Sequence, residues 1–190
     1  MKLHLAYAAA ATLAALPASA ATLTYGSTVA ASCAKAAIAA PTSMPAQRGA
    51  LQDCNDALAG KLLPADRTAT LVNRGIVNAA AGHYEAALTD YDAALAREPQ
   101  AANTYLNRGE AFLRSGRFDA ARADFDRALS LKTDQVAIAT FSRGMANEKL
   151  GDLAAAYRDY KQAETLAPDF APARTELARF QVKPAQFANR

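Results

Sequence analysis

The sequence of 190 residues predicts an all-α fold, a solenoid in which antiparallel helix pairs stack one after another. Self-similarity is the first reason, because residues 80–99, 114–133 and 149–168 align with a period of 34 and then 35 residues. Spacing is the second reason, because Ala87, Tyr91 and Ala94 stand four and three residues apart on one helix face, and both later units keep this pattern. The composition, 52% hydrophobic and 21% charged, is typical of a soluble helical protein.

Glycine and proline recur at two further aligned positions of the units, and they mark where the helices of each unit end. Gly82, Gly116 and Gly151 stand between the two helices, where a helix end adopts a left-handed conformation. Proline follows the second helix in two of the three units, at Pro99 and Pro168, and stops it.

The first 20 residues predict a secretory signal peptide. Lys2 gives a positive start, residues 5–16 are apolar, Pro17 breaks the run, and residues 18–20 form a small-residue cleavage signal. The alternative is an uncleaved anchor, but the apolar run is well short of the roughly 20 residues that a spanning helix needs. We expect cleavage after Ala20, export to a bacterial periplasm, and a flexible arm over residues 21–28.

Two cysteines, Cys33 and Cys54, allow one pairing only. In an oxidising compartment two cysteines usually form a disulfide. The alternatives are two buried thiols or a redox-active pair, and the second lacks the C-x-x-C spacing that such pairs usually have. The disulfide would staple a helical hairpin over residues 29–66, with helices expected at 29–40 and 50–58 and a turn at 41–45.

The two-helix unit with a 34-residue period resembles the tetratricopeptide repeat. The resemblance covers residues 68–168 and implies three repeats, at 68–101, 102–135 and 137–168. Because such arrays need polar caps at both ends, the stapled hairpin is interpreted as a degenerate opening unit, and residues 169–183 as a capping helix followed by a tail over 184–190.

The aromatic columns of the first helices are incomplete. Only the middle unit carries rings at both positions, Tyr105 and Phe112, and the later position holds Asn78 and Asn147 in the outer units. We therefore expect the first and third repeats to pack less tightly than is usual in the family, or to depend on neighbouring units.

Little in the chain indicates chemistry. His83, in a turn, is the only histidine after the signal peptide, and no metal, nucleophile or phosphate-binding motif is present. A net charge of +3 without a concentrated basic face does not favour nucleic acid as a partner. The sequence predicts no enzyme, no cofactor and no metal site.

An arginine and an aspartate recur in each repeat at the same spacing along the sequence. An arginine before a glycine is followed sixteen residues later by an aspartate, which indicates a repeated structural ion pair within or between units. Ligand binding by these arginines is the alternative. The pairs are Arg74 with Asp90, Arg108 with Asp124 and Arg143 with Asp159.

In the family that the chain resembles, the first helices line a concave groove that takes extended peptides or partner helices. The groove candidates are the residues on that side of the three first helices. They are Val72, Asn73, Ile76, Leu106, Asn107, Glu110, Leu113, Arg114, Phe141, Ser142, Met145 and Glu148. Chaperone-binding members hold a C-terminal carboxylate with lysine, asparagine and arginine, but the matching columns here are apolar or mixed.

An apolar stripe of Ile138, Phe141 and Met145 runs along the groove side of the third repeat. Such a stripe usually marks a contact surface. It would contact a partner, or it would be covered by the tail with Phe187 or the arm with Tyr25.

The resemblance implies a periplasmic protein–protein interaction module, an adaptor or assembly factor that binds a peptide or helix in the concave groove. The alternative is a permanent structural or accessory subunit of a cell-envelope complex. The sequence does not name the partner.

Overall fold

The computed structural model describes residues 28–39 and 44–180, and this part of the chain is built from helices without a strand. The predicted signal peptide, residues 21–27 of the predicted arm over 21–28, the end of the capping helix, the tail, Tyr25 and Phe187 lie outside the described residues. Thr28, the last residue of that arm, is helical instead. The helices are α1 Thr28–Ala39, α2 Met44–Ala59, α3 Pro64–Ala80, α4 Tyr84–Arg97, α5 Ala102–Arg114, α6 Phe118–Ser130, α7 Val136–Lys149, α8 Leu153–Leu166 and α9 Ala171–Arg179.

Consecutive helices form antiparallel pairs, α1 with α2, α3 with α4, α5 with α6 and α7 with α8. Each pair packs on the next, and the first helices α3, α5 and α7 touch one another along one side of the array. This arrangement confirms the predicted all-α solenoid. Within the described residues no helix is long and apolar enough to cross a membrane.

The turns inside each repeat follow the glycine column. Gly82, Gly116 and Gly151 have φ values of 79°, 81° and 85°, the left-handed region that a side chain disfavours. In the second repeat, where proline is missing after the second helix, the chain turns through Lys132 with φ 60°, and Thr133 bonds to Asn103 of α5.

The two helices of a repeat approach closely where a glycine meets a buried ring. A Cβ placed on Gly75, Gly109 or Gly144 would lie 2.6, 2.7 or 2.8 Å from the ring of the second-helix aromatic. Those rings belong to Tyr91, Phe125 and Tyr160, each at most 1% exposed. The glycine column therefore sets the distance between paired helices.

The opening hairpin is stapled as predicted. Cys33 of α1 and Cys54 of α2 form a disulfide with a Cα–Cα distance of 4.7 Å, and both are fully buried against α3 and α4 residues such as Val72 and Tyr91.

The helix bounds of the hairpin differ from the expected ones. The second helix begins at Met44 rather than at residue 50, so the prolines that indicated a turn do not all lie outside it. Pro45 lies in the first turn of α2, and Pro64 opens α3 four residues before the expected start of the first repeat. Proline is tolerated there because the first-turn N–H groups have no partner within the helix.

The capping helix α9 closes the other end. It begins at Ala171, with Pro172 in its first turn. Phe170, Leu177 and Phe180 pack over the buried Phe141 and Tyr160. The cap therefore covers the apolar surface that the last repeat would otherwise expose.

Candidate partner-binding face

The recurrent arginines bind the aspartates of their own repeats. Arg74 Nη2 lies 2.6 Å from Asp90 Oδ1. Arg108 Nε lies 2.7 Å from Asp124 Oδ2, and its Nη2 donates to the other carboxylate oxygen at 2.8 Å. The third pair has the same two-pronged geometry, and this is the strong form of an ion pair between arginine and a carboxylate. Each pair joins the first and second helices of one repeat.

Each arginine also reaches back to the preceding unit. Arg108 Nη1 bonds Asp92 of α4 at 2.6 Å, and Arg143 Nη1 bonds Asp126 of α6 at 2.8 Å. Arg74 makes the equivalent bond to the amide of Asn55 in α2 at 2.8 Å. Sequence reasoning missed these acceptors, although each directly follows the aromatic column or, in the hairpin, Cys54.

Burial and hydrogen bonding shift the pKa values of these groups in opposite directions. The hydrogen bond to Asp124 raises the pKa of Arg108, so this guanidinium stays charged. Burial raises the pKa of Asp124, and the bond from Arg108 opposes that rise. An arginine that bonds an acceptor in its own repeat and another in the preceding unit links helices, and its guanidinium is not free to bind a ligand.

Asparagine replaces the later aromatic in the outer repeats and joins the same network. Asn78 Nδ2 donates to Asp90 at 3.2 Å, and Asn147 Nδ2 donates to Asp159 at 2.9 Å. In the middle repeat the ring of Phe112 lies 5.7 Å from the guanidinium of Arg108 instead. The outer repeats thus substitute a buried amide bond for ring packing.

Most groove candidates lie inside the fold, which corrects their assignment as partner contacts. The reason is that the adjacent helices cover the side of each first helix that sequence periodicity assigned to the groove. The buried candidates, at most 6% exposed, are Val72, Asn73, Ile76, Leu106, Asn107, Leu113, Phe141 and Ser142.

The apolar stripe of Ile138, Phe141 and Met145 is buried only in part. Phe141 is 5% exposed, and its ring centre lies 5.4 Å from that of Tyr160 and 5.2 Å from that of Phe170. Its ring packs on α8 and the segment before α9, which the sequence did not indicate. Ile138 and Met145 stay partly exposed.

Four candidates retain accessible surface, and together they define the first-helix face. They are Glu110, Arg114, Met145 and Glu148, of which Arg114 is exposed and the others are half-buried. This face carries two carboxylates and a thioether, with a guanidinium at its rim.

The two carboxylates of this face are held by neighbouring side chains. The Ser142 hydroxyl of α7 donates to Glu110 of α5, and burial raises the pKa of the Glu110 carboxyl above its ordinary range. Glu148 accepts from the Tyr160 hydroxyl at 2.8 Å and from Arg179 at 3.2 Å. The face is therefore preorganised, with its acidic groups fixed in place. In the described part of the chain no group of three or more histidine, cysteine or acidic residues could hold a metal ion.

A sequence profile described as tetratricopeptide repeat matches residues 72–136 and, overlapping them, 106–171. The two matches span more than half of the chain. The chain belongs to the tetratricopeptide repeat family. No curated protein matches this tetratricopeptide repeat chain.

Solved structures share the fold. The second TPR domain of human RPAP3, in complex with the HSP70 peptide SGPTIEEVD, is 28% identical with a TM-score of 0.59, covering 64% of this chain and 100% of that one. The first TPR of Spaghetti (RPAP3), bound to the HSP90 peptide SRMEEVD, is 26% identical with a TM-score of 0.57, covering 60% and 89%. A tetratricopeptide repeat protein from Parabacteroides merdae is 20% identical with a TM-score of 0.65, covering 80% and 57%, which shows the fold alone. The fold is that of a protein-interaction module.

Proposed function

We propose that this tetratricopeptide repeat protein is an exported adaptor or assembly factor that binds a peptide or helix of a partner on its first-helix face. The observation that carries the proposal is the set of accessible side chains at Glu110, Arg114, Met145 and Glu148 on two adjacent first helices. The two carboxylates among them are held by hydrogen bonds. The two RPAP3 domains bound to peptides support a peptide as the ligand class.

The chemistry of the face favours a different peptide from those two. Both RPAP3 ligands end in the acidic sequence EEVD. The carboxyl groups of Glu110 and Glu148 offer no positive charge to such a segment, while Met145 and the partly exposed Ile138 offer apolar contact. We infer a partner segment with apolar anchors and no acidic terminus.

The Cys33–Cys54 disulfide supports export, because disulfides persist in oxidising compartments such as the periplasm. The predicted signal peptide over residues 1–20 gives the route. Cell fractionation with N-terminal sequencing tests this part, and a cytoplasmic protein that retains Met1 would contradict it.

Photocrosslinking in living cells tests the binding face. A photoreactive amino acid at Met145 or Arg114 should capture a partner, whereas the same group at Ala96, exposed on the second helix α4, should not. Because Phe141 and Asn107 are buried, they are unsuitable positions. Capture from Ala96 alone would move the interface to the second helices and favour a permanent subunit of an envelope complex.

A further inference from the structure

A cavity of about 230 Å³ opens between α6, α7 and α8, and none of the four residues of the first-helix face lines it. Its walls carry only one alanine besides charged and amide side chains. The polar lining residues are Arg122 and Asp126 of α6, Arg143 and Asn147 of α7, and Arg158 and Asp159 of α8.

The cavity has more guanidinium than carboxylate. Arg143 bonds both aspartates, at 2.8 Å to Asp126 and 2.6 Å to Asp159, so these three residues form a closed group. Arg122 and Arg158 are additional, and across residues 28–39 and 44–180 no ion pair is formed by Arg158. The lining residues therefore sum to one positive charge.

Arg122 has a competing acid close by. Its Nη2 lies 3.6 Å from Asp119 Oδ1, one turn away on the same helix. The side chains are 43% and 82% exposed, and a solvent-exposed pair of this kind is worth about 1 kcal/mol or less. An anion with better geometry can replace this contact.

The repeat architecture does not require either arginine. In the equivalent cleft of the preceding repeat, 34 or 35 residues earlier, Leu88 stands for Arg122 and Ala123 for Arg158. Phe112 likewise stands for Asn147, while the structural ion pair persists as Arg108 with Asp124. The equivalent helices of the preceding repeat thus carry apolar side chains at these positions, so the two arginines are not needed for helix packing.

We propose that Arg122 and Arg158 bind a phosphate-type oxyanion in this cavity. Two guanidinium groups present N–H pairs that match the oxygens of a tetrahedral dianion, whereas a carboxylate offers only two oxygens. The volume is many times the roughly 10–15 Å³ that one water needs on this measure, so the cavity has room for the ion. The phosphate group arrives as the free ion or as a small phosphate ester.

NMR of the arginine Nε–Hε groups in the full chain tests the site. Inorganic phosphate, titrated at constant ionic strength in chloride, should shift Arg122 and Arg158 to saturation, and acetate should not. Glycerol phosphate distinguishes the sources: tighter binding than phosphate indicates an ester, and weaker binding indicates the free ion. Equal saturation with acetate would overturn the phosphate assignment.

The preceding repeat supplies matched variants. Arg122→Leu with Arg158→Ala recreates the earlier cleft and should weaken phosphate binding about tenfold or more, since each bond to a charged group contributes strongly. Lys35→Ala with Lys61→Ala removes the same charge from exposed residues that do not line the cavity and should leave affinity within about twofold, because exposed charges are screened by salt.

Asp119→Ala should tighten binding, because it releases Arg122. Equal affinity in wild type and the Arg122→Leu, Arg158→Ala protein would overturn the proposal. An equal loss in the distant double variant would reduce it to general charge attraction and overturn it as well. Both outcomes leave the first-helix face untouched, because that face is tested by crosslinking at other residues.

Discussion

Single residues set the spacing and the charge pairing of each repeat. Gly109 faces Phe125, and a Cβ there would lie 2.7 Å from the ring, closer than real atoms approach. The equivalent glycines of the other repeats meet their rings in the same way, so small substitutions at this column have a large effect on packing.

Gly109→Ala should destabilise the protein by about 1–3 kcal/mol, because overpacking outweighs the gain of about 1 kcal/mol that alanine brings to a helix. Urea unfolding measures the difference. Gly49→Ala on α2 is the matched control, because nothing lies within 4 Å of its added Cβ, and it should be neutral or stabilising. Equal stabilisation by both substitutions would show that the Phe125 contact relaxes freely.

Arg108→Ala should lower the free energy of unfolding by about 2–3 kcal/mol, because it leaves the buried Asp124 without its charge partner. Asp92→Ala removes only the 63%-exposed acceptor and should cost less than about 1 kcal/mol. Chemical denaturation of both variants decides the matter. If the two losses are equal, the pair within the repeat is no stronger than the one between repeats.

Glu110 gives the stability a pH dependence. Burial raises its pKa above the ordinary value of 4.5, so the folded state binds more protons than the unfolded state in the window above that value. Stability from this group is present at low pH and is lost as pH rises through the window. Glu110→Gln should therefore raise the thermal midpoint at neutral pH and flatten its change between acidic and neutral pH.

Glu85→Gln removes the same charge from a 72%-exposed side chain and is the control for Glu110; it should change the thermal midpoint at neutral pH little. A parallel downward shift of the Glu110→Gln curve at every pH would mean that the Glu110 side chain stabilises the fold whatever its charge, which contradicts the expected pH dependence.

At the scale of elements, the hairpin of α1 and α2 depends on its disulfide. The two cysteines are 21 residues apart, and closing a loop of that size is worth about 3 kcal/mol. Reducing agent should lower the melting temperature of wild type and expose α1 and α2 to hydrogen exchange before the repeats.

A Cys33→Ser, Cys54→Ser protein should melt at the lower temperature with or without reductant. Unchanged melting of wild type after verified reduction would show that packing alone holds the hairpin.

The C-terminal end of the array lacks the donor and the acceptor of the ion pair that joins consecutive repeats. Lys161 stands where Asp92 and Asp126 accept the next repeat's arginine, and Leu177 of α9 stands where that arginine would be. Leu177 packs into the apolar cluster instead. An arginine at the position of Leu177 would meet a like charge at Lys161, so the ion pair between repeats is not continued from α8 to α9.

Across the whole molecule, stability should be distributed locally, because each unit of a solenoid contacts only its neighbours. Phe170→Ala removes the ring that packs on Phe141 and should destabilise the C-terminal end by about 2–3 kcal/mol, less than a fully buried phenylalanine. Hydrogen exchange should rise in α7 to α9 while α3 and α4 stay protected.

Leu153→Ala, at a side chain 50% exposed on α8, is the control for Phe170 and should change little. A uniform loss of protection in the Phe170→Ala protein, from α1 to α9, would instead show that the molecule unfolds as one cooperative unit.

The solenoid could be predicted because the residues that build it are local and repeat in each unit: Gly82 marks a turn, and Ala87, Tyr91 and Ala94 mark a buried helix face. The offset of sixteen residues likewise predicted the pair of Arg74 and Asp90, which the structure forms.

The accessible face was harder to predict, because periodicity tells which side of a helix a residue occupies but not how far the next helix covers it. Asn73, at 0% exposure, and Asn107, at 6%, are buried for that reason. The cavity with Arg122 and Arg158 brings together three helices and has no counterpart in the repeat pattern.

Each arginine bonds both its own repeat and the preceding unit, and this affects how such a chain can change its length during evolution. The unit over residues 102–135 contributes Arg108 to the interface before it and Asp126 to the interface after it. Duplicating or deleting the gene segment for one such unit leaves every remaining junction with its own donor and acceptor. Copy number can therefore vary without a new interface arising, provided that Asn55 and Lys161 remain at the two ends.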